Sequence, residues 1–341
     1  MSVFTRAGEA SRKLVALVVA LATAAALMVV GQGTAQAANR DWLRADNSGY
    51  CDWDAAGFWV QRCDVWSPAM GRNIPVQIQP AERGGNAGLY LLDGMRATEY
   101  SNAWLVDTNA ARLYAPNNIT LVMPVGGAGS FYADWNSQAS LSSSDPVIYM
   151  WETFLTQELP AYLEQNFGVA RNNNSIGGLS MGGTAALNLA AKHPDQFRQA
   201  MSWSGYLNTT APGMQTLLRL AMLDTGGFNV NAMYGSIINP RRFENDPFWN
   251  MGGLANTDVY ISAASGLWSP QDDGVRVDHR LTGSVLEFVA MTSTRIWEAK
   301  ARLQGLNPTA DYPMYGIHGW AQFNSQLERT QGRVLDVMNA W

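Results

Sequence analysis

Histidine is almost missing from this chain: its 341 residues include three, His193, His279 and His318. A reaction that needs an imidazole base therefore has three candidates. Cysteine is scarcer, with Cys51 and Cys63 alone. An even pair in an exported chain predicts a disulfide worth on the order of 2–3 kcal/mol for so short a loop. A metal site needs further ligands that the region around the pair lacks. Charge is thin as well, with Asp, Glu, Lys and Arg at 15% of the residues. No basic block stands beyond the N-terminal leader, which disfavours nucleic acid and anionic lipid surfaces as partners. Past that leader no apolar run is long enough to cross a bilayer.

The leader reads as an export signal. Arg6, Arg12 and Lys13 precede an apolar stretch at 14–30, and Ala35-Gln36-Ala37 follows as a cleavage site. An uncleaved anchor is the alternative, because the apolar stretch is slightly long for a signal and short for a membrane span. Cleavage takes a net charge of +2 away and shifts the formal −5 of the whole chain to about −7. Residues 38–341 then suffice for one large α/β domain, with 38–70 as a Trp- and Asp-rich surface segment pinned by the disulfide. Few charges beside many Trp and Tyr suit a secreted protein that handles sugars or lipids.

The stretch 174–194, NSIGGLSMGGTAALNLAAKHP, organises the rest. It reads as a short strand at 175–178, a tight turn, and a helix of small and apolar residues at 184–192. At the turn, Gly178-Leu179-Ser180-Met181-Gly182 matches the G-x-S-x-G nucleophile elbow. A serine lifted above a sheet needs a strained backbone and flanking positions without a Cβ. The helix that follows aims its N–H groups at any oxyanion forming there. A glycine-rich chain also produces this pattern by chance, so the strand before and the helix after are what distinguish it.

Strands are expected at 74–79, 89–92, 119–124, 200–204, 259–264 and 313–316, and helices at 151–165, 214–223, 283–303 and 320–338. Pro160 is expected to kink the first of these helices. Residues 209–251 turn irregular and read as a lid-like insertion rather than a second domain. Buried strands alternating with helices predict the α/β-hydrolase fold: a single domain on a central, mostly parallel sheet.

That fold orders its catalytic residues as serine, acid, histidine. His193 closes the elbow helix and reads as a structural cap. His279 lies among Asp278 and Arg280 and reads as solvated. His318 falls in a loop between the last strand and the last helix, where the fold keeps its base. For the acid the candidates are Asp272, Asp273, Asp278 and Glu287. Fold analogy favours Asp272 or Asp273 in the loop, Glu287 starts a helix in the apolar-looking Val285-Leu286-Glu287-Phe288-Val289, and the residues leave the choice open. The oxyanion N–H groups fall to Met181 and, from the early strand–helix loop, Met95. Asp93 and Arg96 in that loop either bind sugar hydroxyls or brace it as a pair.

Beyond these residues, several segments resemble one family. They are Leu91-Leu92-Asp93-Gly94-Met95-Arg96-Ala97, Val122-Met123-Pro124-Val125-Gly126-Gly127, Ser130-Phe131-Tyr132 with Asp134-Trp135, and Trp151-Glu152-Thr153-Phe154-Leu155-Thr156. Gly178-Leu179-Ser180-Met181, Asn245-Asp246-Pro247 and His318-Gly319-Trp320 continue in register. Together they are similar to the mycolyltransferases of mycolic-acid bacteria, the antigen 85 type and its corynebacterial relatives. The resemblance implies transfer of a long acyl chain from trehalose monomycolate to a second trehalose monomycolate or to cell-wall arabinogalactan. It places the nucleophile on Ser180, the acid on Glu287 and the base on His318. It puts the oxyanion donors on Met95 and Met181, and trehalose contacts on Asp93, Arg96 and Trp320. It implies no cofactor or metal and no obligate protein partner, with trehalose mycolates, wall glycans and outer-layer lipids as the molecules met.

Gly319, Asp107 and Ala263 depart from the mycobacterial pattern, which has Ser, Asn and Cys there, and so does the segment that carries Cys51 and Cys63. These departures bear on the acceptor rather than on the acyl chemistry. Two other readings compete: a secreted esterase with water as acceptor, and a non-catalytic wall or matrix adhesin.

Overall fold

The structure, a computed structural model, describes residues 40–141 and 146–341. The predicted export signal at 1–37 lies outside the described residues. In chain order the strands are β1 (Ala45–Asp46), β2 (Gly49–Tyr50), β3 (Asp52–Trp53), β4 (Gln61–Ser67), β5 (Arg72–Gln79), β6 (Ala87–Leu92) and β7 (Ile119–Pro124), then β8 (Asn174–Leu179), β9 (Phe197–Trp203), β10 (Asp258–Ser262) and β11 (Thr309–Asp311). Nine of them form one sheet in the order β11-β10-β9-β8-β6-β7-β5-β4-β3, and β1 pairs with β2 as a separate ribbon. From β7 across to β11 every pairing is parallel, whereas β3, β4 and β5 continue the β7 side antiparallel.

The apolar runs read from sequence lie at the centre of the sheet because both faces are covered. β6, β7 and β8 are buried along their whole length, as strands under helices on both sides must be. Alternation divides their side chains between two cores. Tyr90, Leu92, Val122 and Ile176 join one, with the elbow helix Met181–Lys192 and Trp297 of the long helix Val277–Leu303. Leu89, Leu91, Leu121 and Leu179 join the other, with Trp104 and the closing helix Trp320–Met338.

Two expectations change, and a third takes a specific form. The segment 38–70 is not wholly superficial: β4 lies inside the main sheet, with Cys63 and Val65 buried and Trp66 outward. The expected strand at 313–316 is loop, and the edge strand lies earlier, at Thr309–Asp311, where β10 offers a parallel partner. Around Pro160 the helix widens: Phe154–Glu158 is a π-helical turn ahead of the α-helix Leu159–Phe167. Such a turn relieves the clash of the proline ring with the preceding turn and the loss of its N–H.

The irregular region contains the helices Met214–Gly226, Val230–Tyr234, Pro240–Glu244 and Pro247–Asn250. Its Leu218, Met222, Met233, Tyr234 and Met251 are core, while Leu217, Leu220, Leu223, Ile237 and Ile238 face outward. Among the described residues no helix is long and apolar enough to cross a membrane.

Cys51 and Cys63 form a disulfide across a sequence separation of 12, and both are buried. Cys63 pairs with Val76 in the sheet, so the bridge fixes the N-terminal loops to the body of the protein. Replacing both cysteines by serine is expected to lower stability by about 3 kcal/mol, read from chemical denaturation.

Candidate active site

The site grows from two glycine contacts. A Cβ on Gly178 would lie 2.4 Å from the carbonyl carbon of Gly182, and one on Gly182 would lie 2.5 Å from the carbonyl oxygens of Leu92 and Asp93. Only glycine lets β8 fold back on its own helix and lets that helix press against the end of β6. Between them Ser180 takes φ 53° and ψ −119°, a strained conformation for a residue with a side chain. Gly94, at the turn after β6, comes within 3.9 Å of the Ser180 Cβ, measured from the Cβ it lacks. Pairing of Leu92 with Gly178 in adjacent strands is what brings the 93–96 loop to the serine.

His318 and Glu287 come from later segments, the loop before the closing helix and the long helix. The Nδ1 of His318 stands 2.8 Å from Oε2 of Glu287. Glu287 is fully buried, and its Oε1 accepts the Ser204 hydroxyl at 2.7 Å and the Ala264 N–H at 2.6 Å. A buried carboxylate is tolerable only with such partners. Its setting is not the apolar one read from sequence. Glu287 lies well inside the long helix, on an inner stripe with Gly283, Ala290, Thr294 and Trp297, while Val285, Leu286 and Phe288 point outward. The other acid candidates are engaged elsewhere: Asp272 caps its own short helix through Ser269, and Asp273 pairs with Arg280.

The backbone N–H of His318 donates to the Gly283 carbonyl, and its ring meets the Phe323 edge at 5.2 Å and Tyr206 at 6.0 Å. The remaining histidines lie apart from this cluster. His193 caps the elbow helix, 2.8 Å from Glu152, and His279 is exposed beside Asp278.

Two residues escaped the sequence reading. Ser204 stands at the end of β9 with φ 54°, its N–H bonded to Ser262. Tyr206, buried two residues later, stands with its ring 6.0 Å from that of His318 and its backbone N–H on the Thr184 hydroxyl of the elbow helix. Burial and then the Glu287 charge hold its phenol well above the ordinary value, so it stays protonated. The only local signal was a small polar residue and a glycine at the end of the strand after the elbow.

Of the expected sugar contacts, Asp93 is turned inward. It is 3% exposed, and its carboxylate accepts N–H groups from Gly94 and Ala103 at 2.9 Å each. It braces the loop, though not through Arg96, whose exposed guanidinium pairs at 2.5 Å with Asp224 on the helix Met214–Gly226. Trp320 is half-buried against Trp104 and Phe323 at the start of the closing helix. Met95 follows Gly94, and the Met181 sulfur accepts the Phe131 N–H in the core.

The esterase family model matches residues 67–334. The diacylglycerol acyltransferase/mycolyltransferase Ag85C of Mycobacterium leprae is 35% identical over 318 residues, 92% of this chain and 93% of the relative. The chain belongs to the esterase family, with the antigen 85 mycolyltransferases. Ag85B of Mycolicibacterium smegmatis is 38% identical over 80% of this chain and 83% of its own length. The crystal structure of Mycobacterium tuberculosis MPT51 (FbpC1) superposes with TM-score 0.71 at 30% identity, over 82% of this chain and 98% of that one. The α/β-hydrolase fold expected from the elbow is thus the fold of the family.

Two measurements probe this geometry. Ser204→Ala takes one of three donors from a buried carboxylate, and a loss of about 1.5–3 kcal/mol is expected in denaturant unfolding. Desolvation raises the Asp93 carboxyl from 3.8 to about 6, above the opposing N–H bonds. The native state therefore keeps a proton that the unfolded chain has released, so this group's contribution is full below 3.8 and lost as pH rises through about 6. Asp93→Asn is expected to flatten the thermal midpoint across that window, relative to the parent protein.

Proposed function

We propose that this protein is a secreted acyltransferase of the cell envelope. It moves a mycolyl group from trehalose monomycolate, through a Ser180 acyl-enzyme, to another trehalose monomycolate or an arabinogalactan hydroxyl. The observation that carries the reading is the hydrogen-bonded chain Ser204–Glu287–His318 in a fold that also holds Ser180 on a strained elbow, in a chain whose relatives are named mycolyltransferases. His318 takes the proton of Ser180 as the hydroxyl attacks the ester carbonyl, and Glu287 holds the imidazole and offsets its charge. Backbone N–H groups of Met95 and Met181 receive the oxyanion, with the N-terminus of the elbow helix behind them. His318 returns the proton to the departing trehalose, and a sugar hydroxyl then takes the acyl group by the reverse steps.

Arg96 and Trp320 are the sugar contacts of this proposal, with Asp93 shaping the loop that carries Arg96. The outward Leu217, Leu220 and Leu223 lie on the helix that Arg96 grips, which supports an acyl chain running along it. Hydrolysis to the free acid is the second reading, favoured by the esterase family match. Incubation with trehalose monomycolate separates them: dimycolate reports transfer, free mycolic acid alone reports an esterase. Ser180→Ala is expected to abolish product and the acyl adduct seen by intact-protein mass spectrometry. His318→Gln and Glu287→Gln are each expected to cost about 10³-fold or more in turnover, with folding retained.

A further inference from the structure

The segment before the family match builds a cleft that the acyl chemistry does not use. Asp41, Trp53, Asp54, Gly57, Trp59 and Val60 line a volume of about 350 Å³. Trp53 is 47% exposed and Trp59 41%, although large aromatic faces are costly to leave in water. The wall is built rather than slack. Phe58 and Trp59 are held at φ 51° and 59°, left-handed values that bulky residues rarely take. The loop is closed by bonds between Asp54 and Val60, and Gln79 fixes the Phe58 carbonyl at 2.8 Å. The Trp59 indole donates to Asp41 at 3.1 Å, and Gln77 donates to Asp54 at 2.6 Å. Asp54 also accepts the Ala56 N–H at 2.9 Å, so both carboxylates are held in place on the wall.

We infer that this cleft binds a neutral glycan chain, one sugar ring lying on the Trp53 and Trp59 faces and its hydroxyls on Asp41 and Asp54. Every large apolar side chain exposed between 40 and 66 is aromatic: Trp42, Tyr50, Trp53, Phe58, Trp59 and Trp66. A lipid- or protein-docking face would include aliphatic residues, as the outward face of the 214–226 helix does. Three arginines against five aspartates in that segment disfavour an anionic membrane or polyanion. Flat rings beside fixed acceptors match the alternating C–H faces and hydroxyl edges of a sugar. The inference leans on the proposed function for the glycan's location, a polymer that also supplies acceptor hydroxyls.

Native electrophoresis of the full chain in gels with and without soluble arabinogalactan tests it. Wild type and Ser180→Ala are expected to be retarded alike, with the retardation unchanged in 0.5 M salt, a concentration on the order that screens charge beyond about 4 Å. Trp53→Ala should bind at least about tenfold more weakly, and Trp53→Phe should restore most of the binding. If Trp53→Ala and Trp59→Ala migrate as wild type, or if salt abolishes the retardation, the inference is overturned. Flotation of wild type but not Trp53→Ala with phosphatidylglycerol vesicles, without glycan retardation, would assign the cleft to lipid and overturn it too. Mycolyl transfer is scored separately, so retardation without transfer sinks the proposed function alone.

Discussion

A single buried carboxylate ties the candidate site of this molecule together. Glu287 has no access to water, yet it accepts from Ser204 after β9, from the Ala264 backbone after β10, and contacts the His318 ring in the last loop. Those segments are far apart in sequence, and the carboxylate is a partner that all of them share. The charge in turn would be intolerable without them. The demand runs outward along the long helix, whose Gly283 lets Ile317 approach a missing Cβ at 3.3 Å and receives the His318 N–H. Small residues on the inner face of that helix are what let the carboxylate lie so deep.

Sheet order supplies the other half. The chain leaves β6 for β7 on one side and returns to β8 on the other. The carboxyl ends of β6 and β8 therefore open side by side, the crevice in which open α/β sheets place their ligands. The 93–96 loop and the elbow face each other for that reason. Asp93 shows what this arrangement demands locally: a carboxylate placed for two backbone N–H groups instead of for solvent.

Much of this was legible in the residues. Ile119–Pro124 and Trp320–Met338 occur at the expected bounds, because an uninterrupted apolar run and a helical stripe are strong periodic signals. β4 was hidden, since its inward positions include Gln61 and Ser67 beside Cys63 and Val65, and polar inward residues mask the alternation. The acid could not be ranked from the residues alone. The outward Val285, Leu286 and Phe288 dominate its neighbourhood in sequence, while its inner face is written in Gly, Ala and Thr. Ser204 and Tyr206 owe their place to β9 lying against β8, a relation no local pattern encodes.

The contact between Arg96 and Asp224 has a thermodynamic corollary. Any ligand that recruits the guanidinium must compete with a carboxylate anchored on a neighbouring helix, so occupancy of the loop and the position of that helix are linked functions. Linkage is reciprocal: whatever draws the helix aside makes the guanidinium more available, by the same factor that such a ligand loosens the helix. Both partners are open to solvent, with side chains 70% and 72% exposed, which caps the factor at roughly fivefold and makes it shrink as ionic strength rises.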